Sequence, residues 1–413
     1  MRLTLLTLLL CSAQILSAQS PHPNACDGTR YKQAVFNTVK KTTVQYATTT
    51  NYFGNAMTLS MDVYEPEGDQ ASARPVIVLA HGGSFIIGDR TMMEAYCQNM
   101  AKRGYVAATI QYRLYPLLQL GFPDSLDIFD AAVKAVADMR AAVRYFRQDA
   151  ASTNVFRADP DHIFIGGYSA GAVTALHTAY MDPDDDVPTF LLNFINANGG
   201  WTGNSGSSAN QSYSADVEAV INMSGGLYRS SWIDADEVSL SSIHGTADET
   251  VSYTYGLAAG LAYLEGSSLL HVRAQEIGLW NNLVTVQGGG HSTTYEQAAY
   301  APQVNNFLNI TSERLEALTC AVSAADDPQQ YGDRYWSIAP NPAKAGAQLQ
   351  VKLPAGTETA QLTLYDLSGR LLQQYRNVAN EQGILLPADL VPGIKFLHIE
   401  NAPDAPLLRI VVE

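Results

Sequence analysis

The sequence predicts an α/β protein: a mostly parallel sheet with helices on both faces, followed by a small C-terminal β-sandwich. Short β-rich runs alternate with longer helical ones from about Thr43 to Leu318, the rhythm of strand–helix–strand units. Several runs are continuously apolar, such as "RPVIVLAHGG" (74–83), which suits central strands buried on both faces. Beyond residue 336 the helical periodicity stops, and short alternating strands recur between Gly, Pro and Asn turns.

The elements follow in order. The chain opens with one Arg, a leucine-rich run and small residues, so residues 1–18 read as a signal peptide with Ala18 as the last residue removed. Leu10 precedes Cys11 where a lipid-attachment signal wants a small residue, so a lipid anchor is not expected. No later stretch is long and apolar enough for a transmembrane segment. The formal charge of −15 over 413 residues argues against nucleic acid or an anionic membrane as partner and fits an exported, soluble protein. Export permits one disulfide among Cys26, Cys97 and Cys320, and the sequence leaves the pair open. None of the three lies in a C-x-x-C or beside a His cluster, so no metal site is expected.

"TTVQYATT" and "MTLSMDVYEP" alternate polar and apolar residues and read as an antiparallel pair of edge strands. A helix is expected around Thr91 to Arg103, then the buried strand "YVAATIQYR", then a long helix over Phe122 to Ala150. "HIFIGGYS" is the next strand and "AGAVTALHTAY" its helix. "VEAVINMSGG", "LSSIHGTAD" and "NLVTVQGGGH" supply three more strands. Between Met181 and Asp216 the rhythm breaks into an acidic stretch and a Gly-, Asn- and Ser-rich one, read as a functional loop or lid. Its acidic triplet, Asp184 to Asp186, reads as a solvated loop. The α/β domain is bounded at 26–320, a linker without periodicity at 321–336, and the sandwich at 337–413.

The chemistry concentrates at strand ends. Gly167-Tyr168-Ser169-Ala170-Gly171 fits G-x-S-x-G between a strand and a helix, a sharp turn that lifts a serine hydroxyl above the sheet. A nucleophilic serine needs a base, and the base an orienting carboxylate. Asp248 in "HGTADETV" and His291 in "QGGGH" follow in the order this architecture demands. His244 reads as a brace for the loop carrying Asp248, and His177 and His271 as structural. "HGGSF" from His81 lets the main chain approach a substrate closely, so the N–H groups of Gly83, Ser84 and Ala170 are the candidate oxyanion donors. Phe85, Tyr168, Trp201 and Trp232 are candidates to line an aromatic acyl site, with core packing an equal explanation.

With "HGGSF", "GYSAG", "HGTADETV", "GGGH" and "RGYVAATIQYRL" in this order, residues 43–318 resemble the α/β-hydrolase fold. Within it they are similar to bacterial carboxylesterases of the hormone-sensitive-lipase and feruloyl-esterase kind. Ser84 stands where many relatives have a third glycine, and no long helical cap is visible, so the insertion 182–216 is the expected cover. The last 75 or so residues, with "APNPA", "LYDLSGR", "LVPGIKF" and "LLRIVVE", resemble the sorting domain of type IX secretion substrates of Bacteroidota. That resemblance implies the type IX machinery as partner and a secreted or cell-surface location. A carbohydrate-binding or Ig-like sandwich is the alternative.

The expected function is a secreted, cofactor-free serine carboxylic-ester hydrolase working through an acyl-enzyme on short-chain or aromatic esters, with polyesters as a narrower form. A prolyl-oligopeptidase-type peptidase shares the triad but not the upstream "HGGSF". A non-catalytic adhesion protein on a hydrolase scaffold is disfavoured because every triad position is filled.

Overall fold

The computed structural model describes residues 26–207, 209–320, 337–340, 343–353, 357–366, 370–399 and 408–412. The expected signal peptide and the linker 321–336 lie outside the described residues. Two units separate by contact, residues 1–319 and 320–413.

The first unit begins with β1 (Val39–Thr50), β2 (Ala56–Pro66), β3 (Arg74–Ala80), α1 (Glu94–Lys102) and β4 (Val106–Ile110). It continues through α2 (Leu117–Leu120), α3 (Ser125–Ala151), β5 (Ala158–Tyr168), α4 (Ala170–Tyr180) and α5 (Thr189–Ala197). Then come β6 (Ala219–Met223), β7 (Gly226–Leu227), β8 (Ser239–Gly245), β9 (Tyr255–Ala258) and β10 (Ala262–Gly266). It closes with α6 (Ser267–Glu276), β11 (Asn281–Val286), α7 (Thr293–Glu296) and α8 (Ala301–Thr319).

Eight strands form one sheet in the order β1-β2-β4-β3-β5-β6-β8-β11. The β1–β2 and β2–β4 pairings are antiparallel and all the others parallel. Every residue of β3, β4 and β6 is buried, so both faces of the sheet centre are covered, as continuous apolar runs require. The long α3 starts at a capping box in which Asp124 accepts from the N–H groups of Leu126 and Asp127 while the Asp127 carboxylate accepts from the Asp124 N–H. This is the α/β-hydrolase arrangement, in which loops at the carboxyl ends of parallel strands meet above the sheet.

Two features depart from the sequence expectation. The insertion after Met181 is not a loose lid. It contains the helix α5, and guanidiniums from α3 staple its tail: Arg140 donates to the Trp201 carbonyl (2.6 Å), Arg144 to those of Thr202 (3.1 Å) and Ser205 (2.9 Å). A second, three-stranded antiparallel sheet, β7-β10-β9, is also present, with β9 and β10 lying in sequence between Asp248 and α6. Cys26 and Cys320 are both disulfide-bonded, and Cys97 is a free, buried thiol.

The second unit holds β12 (Ser337–Ala339), β13 (Gln348–Lys352), β14 (Thr359–Asp366), β15 (Leu371–Ala379), β16 (Gly383–Leu385), β17 (Gly393–Ile399) and β18 (Leu408–Val412). They form two sheets, β12-β13-β16 and β15-β14-β17-β18. Leu349, Val351 and Ile384 of the first and Leu362, Leu364, Leu397 and Ile410 of the second share one core, the two-sheet sandwich that the alternation predicts. Among the described residues no helix is long and apolar enough to cross a membrane.

Candidate active site

Ser169 sits between β5 and α4 with φ 56° and ψ −121°, a conformation that a non-glycine residue holds only when its surroundings impose it. Its N–H donates to the Met223 carbonyl and its own carbonyl accepts from Val173 N–H, both at 2.9 Å, so sheet and helix fix the turn together. The flanking glycines answer to close approach. A Cβ on Gly167 would lie 2.5 Å from the Ala80 carbonyl oxygen, and one on Gly171 only 2.0 Å from the same atom. The G-x-S-x-G spacing thus records how tightly α4 crosses the end of β3.

His291 follows β11 on a short loop. Its Nε2 lies 2.7 Å from Ser169 Oγ and its Nδ1 2.7 Å from Asp248 Oδ2. Ionised Asp248 can only accept, so Nδ1 carries the proton and Nε2 is left to accept the serine hydroxyl. Asp248 Oδ1 accepts from the N–H groups of Thr250 (2.9 Å) and Val251 (2.8 Å). Burial raises the Asp248 carboxyl, but hydrogen bonds from His244 and His291, with the Val251 N–H, outweigh it and hold the group well below the usual carboxylate range.

His244 is fully buried beneath this pair. Its Nε2 lies 3.2 Å from Asp248 Oδ2 and 3.0 Å from the Val251 carbonyl, two acceptors that place the proton on Nε2. Its Nδ1 then accepts from the Ser267 hydroxyl (2.8 Å), which accepts from Asn222 Nδ2 (3.0 Å). The Asn222 side-chain oxygen in turn accepts from Gly225 N–H (2.9 Å). Every donor in the chain has an acceptor, so the support is determinate down to the tautomer.

After β3 the backbone turns through three successive positive φ values: Gly83 117°, Ser84 54° and Phe85 63°. A Cβ on Gly83 would stand 2.0 Å from the Ile87 carbonyl oxygen, so only glycine fits there. Ser84 occupies a left-handed position that favours glycine, the physical sense of its departure from the three-glycine pattern. Buried His81 braces the loop: its ring stacks on Tyr112 at 4.3 Å, and its Nδ1 lies 2.7 Å from the Gly82 carbonyl.

Ser84 and Ala170 border the same apolar cleft as Ser169. Gly83 does not line it. Phe85, Phe129, Val136, Val173 and Met181 form its walls, and Ala258, Leu261 and Leu264 of the β9–β10 hairpin close it. The buried His177 ring also borders the cleft; its Nδ1 lies 2.8 Å from the Val173 carbonyl and its Nε2 accepts from Tyr228 N–H at 3.1 Å. Burial lowers the His177 imidazole to about 4, so the wall it forms is neutral.

Of the four aromatic candidates, only Phe85 lines this cleft. Tyr168 stacks on the His291 ring at 5.0 Å instead. Trp232 is buried in the core, stacked on Tyr228 at 5.3 Å. Trp201 borders a separate groove with Arg140, Arg144 and Tyr213. The sequence reading missed the hairpin, which carries no motif and becomes a wall only through tertiary packing. Among the described residues no group of three or more His, Cys, Asp or Glu is arranged to hold a metal ion.

The BD-FAE family model matches residues 61–227. The chain is 31% identical over 137 residues to a non-reducing polyketide synthase of Stereocaulon alpinum, covering 32% of this chain and 5% of that protein. It is 31% identical over 117 residues to Esterase-5C of Drosophila miranda, covering 28% of this chain and 20% of that protein. The chain therefore spans 20% or less of the length of these curated relatives. Among solved structures, native esterase 2 of Thermogutta terrifontis is 21% identical, with a TM-score of 0.47 over 69% of this chain and 95% of that one.

Proposed function

We propose that the protein is a serine carboxylic-ester hydrolase acting through an acyl-enzyme. The observation that carries this reading is the Ser169–His291–Asp248 line, with 2.7 Å at each link, opening onto an apolar cleft. Ser169 Oγ attacks the ester carbonyl while His291 Nε2 takes its proton. Asp248 orients the ring and stabilises its cationic form. The N–H groups of Ser84 and Ala170, which border the reacting space, donate to the oxyanion, with Gly83 shaping the loop that presents Ser84. Collapse expels the alcohol, which receives the proton from His291. Water then repeats the attack on the acyl-enzyme with His291 as base. An esterase name among the matched relatives supports the ester over the peptide reading, as does the near-absence of charged groups in the cleft. Hydrolysis of acetyl to hexanoyl and aryl esters, with peptides untouched, is the expected profile; peptide cleavage without ester cleavage would overturn it.

The same reading makes the protein an exported one. Residues 1–18 direct it across the inner membrane, and the 337–413 sandwich serves as a type IX sorting domain. The resemblance of "LYDLSGR" and "LVPGIKF" supports this, together with a sandwich core of its own. In a host with type IX secretion, a chain ending at Pro328 should hydrolyse soluble esters but remain in the periplasm. Normal export of that truncated chain would refute the sorting assignment.

A further inference from the structure

Residues 114–123, "LYPLLQLGFP", carry no charged side chain in a protein of net charge −15. This segment bridges two walls of the cleft. Tyr115 N–H donates to the Phe85 carbonyl at 2.7 Å, and just past the segment's far end the Ser125 hydroxyl donates to the Leu261 carbonyl at 2.6 Å. Phe85 and Leu261 both line the cleft that holds Ser169. Between these pins the side chains face water: Leu118 is 93% exposed, Phe122 92% and Leu120 50%, with Leu126 of α3 at 51%. Single exposed apolar residues need no explanation, but three on one strap beside a catalytic mouth, with a fourth on the helix that follows it, do.

We propose that this strap is a landing surface by which the enzyme adsorbs to a solid, uncharged aliphatic polyester and presents its chains to Ser169. The inference rests on the ester-hydrolase reading and names the physical form of its substrate. Four observations choose this occupant. The strap is continuous with the cleft walls, so what lies on it lies at the reacting centre. The absence of charge along it, on an acidic protein, disfavours an anionic membrane, which recruits basic segments. Pins at both ends, with Pro116 and Pro123 stiffening the backbone, keep the strap from hinging aside, so its apolar side chains are presented as one fixed face that suits a rigid surface. The cleft walls behind it are mostly aliphatic, which matches an aliphatic chain.

The test separates adsorption from turnover. The full chain carrying Ser169→Ala is incubated with polycaprolactone film, and depletion from solution is compared with the same chain also carrying Leu118→Ser and Phe122→Ser. Removing two exposed apolar anchors should weaken partition by about tenfold or more. In the Ser169 background, the double substitution should slow film erosion while p-nitrophenyl acetate hydrolysis, which needs no surface, confirms an intact site. Equal adsorption with and without the substitutions overturns the proposal. So does adsorption to phosphatidylglycerol vesicles but not to film, or a dimer that the substitutions dissociate. Failure of the unsubstituted enzyme to hydrolyse p-nitrophenyl acetate would instead strike the ester-hydrolase reading, while the adsorption comparison, made without turnover, tests the landing surface separately.

Discussion

His291 and His244 address the same oxygen of Asp248, Oδ2, at 2.7 and 3.2 Å. One imidazole faces the serine; the other is buried and tied through Ser267 to Asn222. Asp248 is thus gripped from both sides, and the grip sets where His291 can stand.

Substituting His244 should therefore act through Asp248. His244→Ala leaves the Ser267 O–H without its acceptor and removes one of the two imidazole donors to Asp248 Oδ2, at about 1–3 kcal/mol of stability. Ester kcat should fall about tenfold or more with KM little changed, because the displaced group orients the base and does not touch substrate. His244→Gln, which keeps a donor, should recover part of the loss. Steady-state kinetics and thermal melts of both variants check this; a KM effect alone would speak against it.

Gly171→Ala should be severe although it adds one methyl group. The new Cβ would start 2.0 Å from the Ala80 carbonyl oxygen. Either α4 moves away from β3 or the Ser169 turn relaxes, at about 1–3 kcal/mol or more. Loss of activity together with a lowered melting temperature is the expected pair of readouts.

The cleft walls assign chain-length preference to α3 and the hairpin. Ala132→Leu fills the cleft from α3 and should lower kcat/KM for hexanoyl relative to acetyl esters by about tenfold or more. Trp201→Ala, in the separate groove, should leave that ratio unchanged. A panel of p-nitrophenyl esters measures both.

Glu237 offers a pH test away from the chemistry. Burial, with repulsion from Asp234, Asp182 and Asp185, pushes its carboxyl from 4.5 up to about 8, despite an N–H bond from Asp234. The folded state therefore holds a proton that the unfolded chain releases near 4.5, and stability falls as pH rises from there through about 8. Glu237→Gln removes that dependence. The site is partly open to solvent, so the gain should be modest, a few °C at pH 9 and none at pH 4.

The strands, the elbow and the spacing of Asp248 and His291 were legible because each rests on local pattern: apolar runs, flanking glycines, strand ends. What covers the cleft was legible only in part: the insertion 182–216 supplies Leu191, but nothing in the sequence announced the β9–β10 hairpin. The Leu261 carbonyl meets the Ser125 hydroxyl across 136 positions of sequence, and no local signal announces such a meeting. Trp201 misled by its type, since it is its backbone carbonyl that Arg140 holds. Tyr168 sits inside the motif yet packs on His291, because the turn that lifts Ser169 directs the preceding side chain toward the base. Helix α5 hid in a stretch whose Gly- and Asn-rich tail dominated its composition.

Covalent labelling of Ser169 tests the central claim most directly. The full chain is exposed to a p-nitrophenyl alkylphosphonate, which traps an activated serine by releasing p-nitrophenol. Intact mass and peptide mapping should find one adduct per chain, on Ser169, with activity lost in proportion, and Ser169→Ala should neither label nor hydrolyse esters. An adduct elsewhere, or ester hydrolysis at near-normal rate by Ser169→Ala, would contradict it.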